Sequence, residues 1–89
     1  MNKPVRFHKQ FEKHYAKRIL PNIKLSRQYD ERYTQFVTGK RDYPLDDHQL
    51  TGKLVGKRAF SIATDIRVVY EETEDAILFL DVGTHNQVY

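Results

Sequence analysis

An α+β fold is predicted from the way apolar residues recur: at spacings of three to four over residues 7–37, and at a spacing of two over residues 59–71. An aperiodic stretch at 39–53 separates the two regimes. With 89 residues the chain makes one domain, 1–89, with a modest core, because a chain this short buries only about 60% of its extended surface.

Each element follows in order. Residues 4–8, PVRFH, read as a short first strand with Pro4 at its start, where the missing amide donor does least harm. Phe7, Phe11, Tyr15 and Ile19 then fall every four residues and mark one face of a helix; Lys9, Lys13, Lys17 and Arg18 lie elsewhere on its circumference. Pro21 ends it, and Asn22 begins a second helix with apolar positions Leu25, Tyr29, Tyr33, Phe36 and Val37, which Gly39 stops. The result is an antiparallel helical hairpin. Residues 39–53, GKRDYPLDDHQLTGK, hold two glycines and a proline without a period and read as a loop containing His48. Ala59 to Ala63 is a strand, Thr64 and Asp65 a turn, and Ile66 to Glu71 the next strand, with Ile66, Val68 and Tyr70 on one face and Arg67 and Val69 on the other. After a turn at 72–75, Ala76 to Val82 is apolar on both faces and marks a central strand covered by the helices. Short turns make these strands an antiparallel meander, so about four strands pack on the hairpin. Gly83 breaks the last one, and GTHNQVY emerges from its end.

Composition excludes several classes. Apolar stretches are far below the roughly 20 residues that cross a bilayer, the mean hydropathy is −0.72, and MNKPVRFHKQ carries no apolar signal region, which points to the cytoplasm. Zero cysteines rule out disulfides and thiolate chemistry. The four histidines sit on different elements with no HxxxH pair, so no metal site is assigned, and no Gly-rich phosphate loop or nucleophile elbow is present, so no cofactor is either. Net charge is +3, and it is uneven. Eleven lysines and arginines lie between Lys3 and Arg41, whereas residues 65–81 hold six acids and one arginine. Lys9, Lys13, Lys17, Arg18, Lys24, Arg27 and Arg32, with Lys53, Lys57 and Arg58, form a basic surface suited to phosphates. A solvated helix face is the bland alternative for such charge.

The chain's end carries the chemistry. His85 and Tyr89 leave a rigid strand, and an imidazole with an ordinary pKa of about 6.5 gives or takes a proton near neutral pH. Each candidate has a structural rival: a surface histidine at position 48, a turn-capping His85, a turn-forming Asp65, an Arg67 paired with Glu71 or Asp81, and a Tyr89 that merely packs on an edge.

The run His48, Leu50, Gly52 and Lys53, then Phe60, Ile62, Asp65, Arg67, Val68 and Tyr70, then the closing GTHNQVY, resembles the RelE/ParE toxin superfamily and, within it, the YafQ-like mRNA interferases. The resemblance covers nearly the whole chain. It implies a RelE-like microbial RNase fold and a small toxin that enters the ribosomal A site, cuts mRNA there, and is silenced by a cognate antitoxin through which it reaches operator DNA. It gives His48 the place of the loop histidine, Asp65 that of the acid heading a sheet strand, and His85 that of the principal catalytic histidine. Tyr89 stands where the group has an aromatic, and Arg67 where the RelE branch has an arginine. One departure stands out: Ser61 occupies the place of a further YafQ histidine.

Such a set suffices for RNA cleavage. A base takes the 2'-hydroxyl proton, an acid protonates the leaving 5'-oxygen, and a cation holds the phosphorane charge. His48 and His85 share acid and base duties on this reading, and Asp65 orients a histidine or takes the proton itself. Arg67 grips the phosphate, and Tyr89 stacks on a base or orients the phosphate. The same superfamily offers a non-nucleolytic alternative, a ParE-like toxin that inhibits DNA gyrase by binding; a plain RNA-binding module is a third.

Overall fold

The computed structural model describes residues 3–89. Strand β1 (Val5–Phe7) leads into helix α1 (Lys9–His14), which widens into a π-helical segment, Tyr15–Ile19. Helix α2 (Ile23–Val37), strand β2 (His48–Gln49), a 3-10 turn (Gly52–Leu54), β3 (Arg58–Ala63), β4 (Ile66–Glu72), β5 (Ile77–Thr84) and helix α3 (His85–Val88) follow. The predicted α+β class and helical hairpin hold. The widening, which the helical stripe alone did not predict, is compatible with its spacing. A strict four-residue stripe outruns the 3.6 residues of an α-turn, and from Tyr15 the backbone adapts with an i→i+5 bond, Leu20 N to Tyr15 O at 2.9 Å. Asn22 caps α2 as expected, its Oδ1 accepting from Lys24 N and Leu25 N at 3.1 and 3.2 Å.

The antiparallel meander of four strands holds as β2 to β5, and the N-terminal strand joins the sheet beside β5. Five strands run in the order β1-β5-β4-β3-β2, and β1 lies parallel to β5, pairing Val5 with Ile77 and Phe7 with Phe79. The helical hairpin carries the chain from β1 across to the far edge at β2, and the meander returns it until β5 lies beside β1. β5 is therefore flanked on both sides, which accounts for its apolar sequence. His48 lies in a two-residue edge strand rather than a loop, opposite Ala59. Two residues are too few to display a period, so only the partner strand reveals them. β5 also runs through Gly83 to Thr84 instead of stopping at Val82. Gly83 answers a crowding requirement: a Cβ there would sit 2.6 Å from Gln87 Oε1 and 2.7 Å from Arg18 Nη1.

The hairpin packs on one sheet face over a core of aromatic rings. Phe79, fully buried, lies within 4.8–6.2 Å ring-centroid networks that join Phe11, Phe36, Phe60 and Tyr70. On the opposite face a smaller cluster of Leu50, Ala59 and Val69 is covered by Leu54, Leu80 and Val88. That second cluster supports the site. Among the described residues no helix is long and apolar enough to cross a membrane.

The end of β4 is tied down electrostatically. Glu72 accepts from Lys3 Nζ at 3.0 Å and from Arg41 Nη1 at 3.1 Å, and these two bonds hold its carboxyl below the ordinary 4.5. A lowered folded-state pKa contributes stability that is complete above the unfolded value and is lost as pH falls through the folded one. Below pH 4.5, then, the melting temperature of the wild type should fall more steeply than that of Glu72→Gln, a difference that thermal unfolding followed by circular dichroism between pH 3 and 6 will read.

Candidate active site

The site is built on the sheet face that the helical hairpin leaves uncovered. One wall is the C-terminus. Thr84 caps α3 through a reciprocal box with Gln87, its backbone N–H donating to Gln87 Oε1 at 2.8 Å. Val88 anchors the short helix on the Leu50–Ala59–Val69 cluster. His85 and Tyr89 are thereby left on the outside, exposed, with their rings edge to face at a centroid distance of 4.5 Å. The other wall is the segment from β2 through the 3-10 turn, in which buried Leu50 holds the backbone down and His48 and Lys53 stand on either side.

Between the walls lies a cavity of about 410 Å³ lined by His48, Thr51, Lys53, Leu54, His85 and Tyr89, among others. Two imidazoles, an ammonium and a phenol thus share one space. Arg67 does not line it but neighbours Tyr89. It stands on β4 opposite Gly83 and Ser61, and its guanidinium charge lies near enough to Tyr89 to favour the ionised phenol. Burial pushes the Tyr89 phenol up and Arg67 only partly offsets this, so the hydroxyl stays protonated at neutral pH. Arg67 Nη1 is buried without a hydrogen-bond partner. The same side chain lines a second depression of about 390 Å³ with Gln28, Arg32, Tyr43, Ser61 and Thr64. Arg67 therefore lines the second concavity and neighbours the first only through Tyr89.

Asp65 stands apart. It is exposed in the β3–β4 turn and lines neither concavity, although the pairing of Ile66 with Thr84 sets that turn beside the start of α3. Among the described residues no three His, Cys, Asp or Glu side chains gather as a metal site. The basic residues divide. Lys9, Lys13 and Lys17 are exposed and Lys53 faces the cavity, whereas Arg18 donates to Val82 O at 2.9 Å, Lys57 lies 3.6 Å from Glu71, and Arg58 turns inward.

Two polar clusters escape sequence reasoning. Asp81, buried on β5, meets His14 Nδ1 at 2.6 Å, Gln10 Nε2 at 3.2 Å and Arg18 Nη1 at 3.6 Å, so His14 clasps helix to sheet. Asp47, its side chain 1% exposed, accepts from Arg58 Nε at 2.8 Å and from the Tyr70 hydroxyl. Burial first, then Asp47, pushes the Tyr70 phenol far up; for Arg58, burial works downward but the bonds to Asp47 and Tyr70 outweigh it and raise the guanidinium further. An acid in an aperiodic stretch gives no sign of its depth. The only hint was the alternation in β4 that placed Tyr70 on the core side.

Comparison with known proteins accords with this architecture. No curated protein matches the chain. Residues 3–89 match the family model of YafQ, described as a bacterial toxin of type II toxin-antitoxin systems. Among solved structures, YafQ from E. coli is 20% identical over 99% of each chain with a TM-score of 0.81, and the E. coli DinJ–YafQ toxin-antitoxin complex is 21% identical over 100% of this chain and 99% of that one at 0.80. A copper-bound mutant toxin from Helicobacter pylori is 25% identical over 98% of this chain and 99% of that one at 0.81. With the family model spanning all but the first two residues, the chain belongs to the YafQ family of type II toxins.

Proposed function

We propose that this toxin is an endoribonuclease that cuts mRNA in the ribosomal A site by acid–base catalysis with its own side chains. The observation that carries the reading is the single cavity shared by His48, His85, Lys53 and Tyr89, with Arg67 close to Tyr89. One imidazole takes the 2'-hydroxyl proton, O2' attacks phosphorus, the P–O5' bond breaks, and the other imidazole protonates O5'. A 2',3'-cyclic phosphate and a 5'-hydroxyl are left. Lys53 and Arg67 are the cations for the phosphorane charge, Tyr89 orients the phosphate, and Asp65, in the turn outside the cavity, tunes His85 as RNA seats. The exposed Lys9, Lys13 and Lys17 contact rRNA phosphates. A cognate antitoxin silences the toxin in the cytoplasm, as the existence of a DinJ–YafQ complex suggests for its relative.

Primer extension on an mRNA translated in a purified system is the test, run beside a gyrase supercoiling assay. Cuts within codons, with supercoiling untouched, are expected. Intact mRNA with blocked supercoiling would replace this reading with a binding toxin.

A further inference from the structure

We infer that the peptide carbonyl of Asp46 locks His48 in its Nδ1–H form, and that Asp47 is the positioning residue holding that carbonyl in place, so that His48 Nε2 is the base of the reaction. The base role rests on the nuclease reading above; the positioning does not.

His48 Nδ1 lies 2.8 Å from Asp46 O. A carbonyl oxygen has lone pairs only, so the hydrogen in this bond must sit on the ring nitrogen. In the neutral ring Nε2 is then the bare nitrogen, the one left for a ligand in the cavity that His48 lines. Water favours the opposite tautomer, which could donate a hydrogen from Nε2 but not accept one there. The Asp46 bond also survives protonation, because Nδ1 keeps its hydrogen when Nε2 gains one. A proton can thus move from the 2'-hydroxyl to Nε2 with no rearrangement of the ring.

The carbonyl needs support, since Asp46 has φ +51°, a left-handed backbone that residues with a Cβ rarely adopt. Support comes from the next residue. The Asp47 carboxylate is bonded to Arg58 and Tyr70, which face each other across β3 and β4, and Arg41 Nε lies 4.0 Å away. Burying a carboxylate this deeply is costly unless it is fully paired, and here the pairing fastens the peptide beside His48 to two strands of the sheet. The charged and titratable groups around His48 are Asp46 and Asp47 on its own segment, Arg58 from β3, and Lys53, His85 and Tyr89 across the cavity. His85 differs in kind: among the described residues nothing hydrogen-bonds its ring nitrogens, so neither tautomer is preset, and it is the group left to carry a proton to O5'.

Long-range proton–nitrogen correlation spectra of ¹⁵N-labelled full-length toxin read the tautomer directly, with His48→Gln used for assignment. Above the histidine titration, His48 should show a protonated Nδ1 and a bare Nε2; a predominantly Nε2–H ring overturns the proposal. In Asp47→Asn the Nε2–H share should rise, kcat should drop by roughly tenfold or more with KM little changed, and the limb of the pH profile due to the base should move. An unchanged ring and profile in Asp47→Asn overturn the role of Asp47, and should Asp47→Ala fail to fold, the wild-type and Asp47→Asn spectra still decide. An Nδ1–H ring in a wild type that leaves translated mRNA intact supports the positioning and ends the base role together with the nuclease reading.

Discussion

His85→Ala should lower kcat for mRNA cleavage by about 10²–10⁴-fold, equivalent to roughly 3–5 kcal/mol of transition-state stabilisation. The structure explains why the loss should be clean. Val88, not His85, anchors α3, and the His85 ring is exposed, edge to face with that of Tyr89. Removing the imidazole therefore leaves no buried void, and the melting temperature should hardly move. RNA binding should also persist, because Lys53 and Arg67 remain, so the effect belongs in kcat rather than KM. His48→Ala should give a loss of similar size, and the double variant much less than the product of the two, since acid and base act in one step. Tyr89→Phe should cost less than either, as it removes only the hydroxyl near Arg67 and keeps the ring. Single-turnover cleavage of translated mRNA, read by primer extension, measures all four proteins. Undiminished cutting by His85→Ala would remove the proposed chemistry.

How much of this was legible in the sequence depends on the scale over which each signal acts. Helix α2 and strands β3 and β4 were readable because their patterns are local: Tyr29, Tyr33 and Phe36 repeat on one face, and Val68 and Tyr70 alternate with Arg67 and Val69. The parallel pairing of β1 with β5 was not, since Val5 and Ile77 meet only after the hairpin and strands β2 to β4 have been laid down between them. His48, His85 and Tyr89 were found by residue type, and the cavity they share follows from β2 and α3 lying over one face of the sheet. Asp47 went unseen because its meaning lies in two partners 11 and 23 residues away. Gly83 was misread as a break because a glycine needed for a close approach looks, in sequence, the same as one needed for a turn.

Phe79→Ala should destabilise the fold by about 3–5 kcal/mol. An 89-residue domain has a total stability of roughly 4–13 kcal/mol, so this change alone takes it close to unfolding at 37 °C. The ring is completely buried and has ring neighbours from every layer: Phe7 at 5.6 Å from β1, Phe11 at 5.4 Å from α1, Tyr33 at 6.0 Å and Phe36 at 5.7 Å from α2, Phe60 at 5.7 Å from β3 and Tyr70 at 6.2 Å from β4. Few of these can collapse into the space left behind, because most are themselves wedged between helix and sheet, so the cavity cost adds to the lost transfer energy. Urea unfolding should show a lower midpoint at nearly constant slope, and Phe79→Leu, which fills part of the void, should recover a large share of the difference. A loss under about 1 kcal/mol would mean that Phe79 is not the centre of the core. The same strand leads into His85, and this gives the experiment a functional consequence: cleavage by Phe79→Ala should return at low temperature as the folded fraction recovers, whereas the deficit of His85→Ala should persist at every temperature.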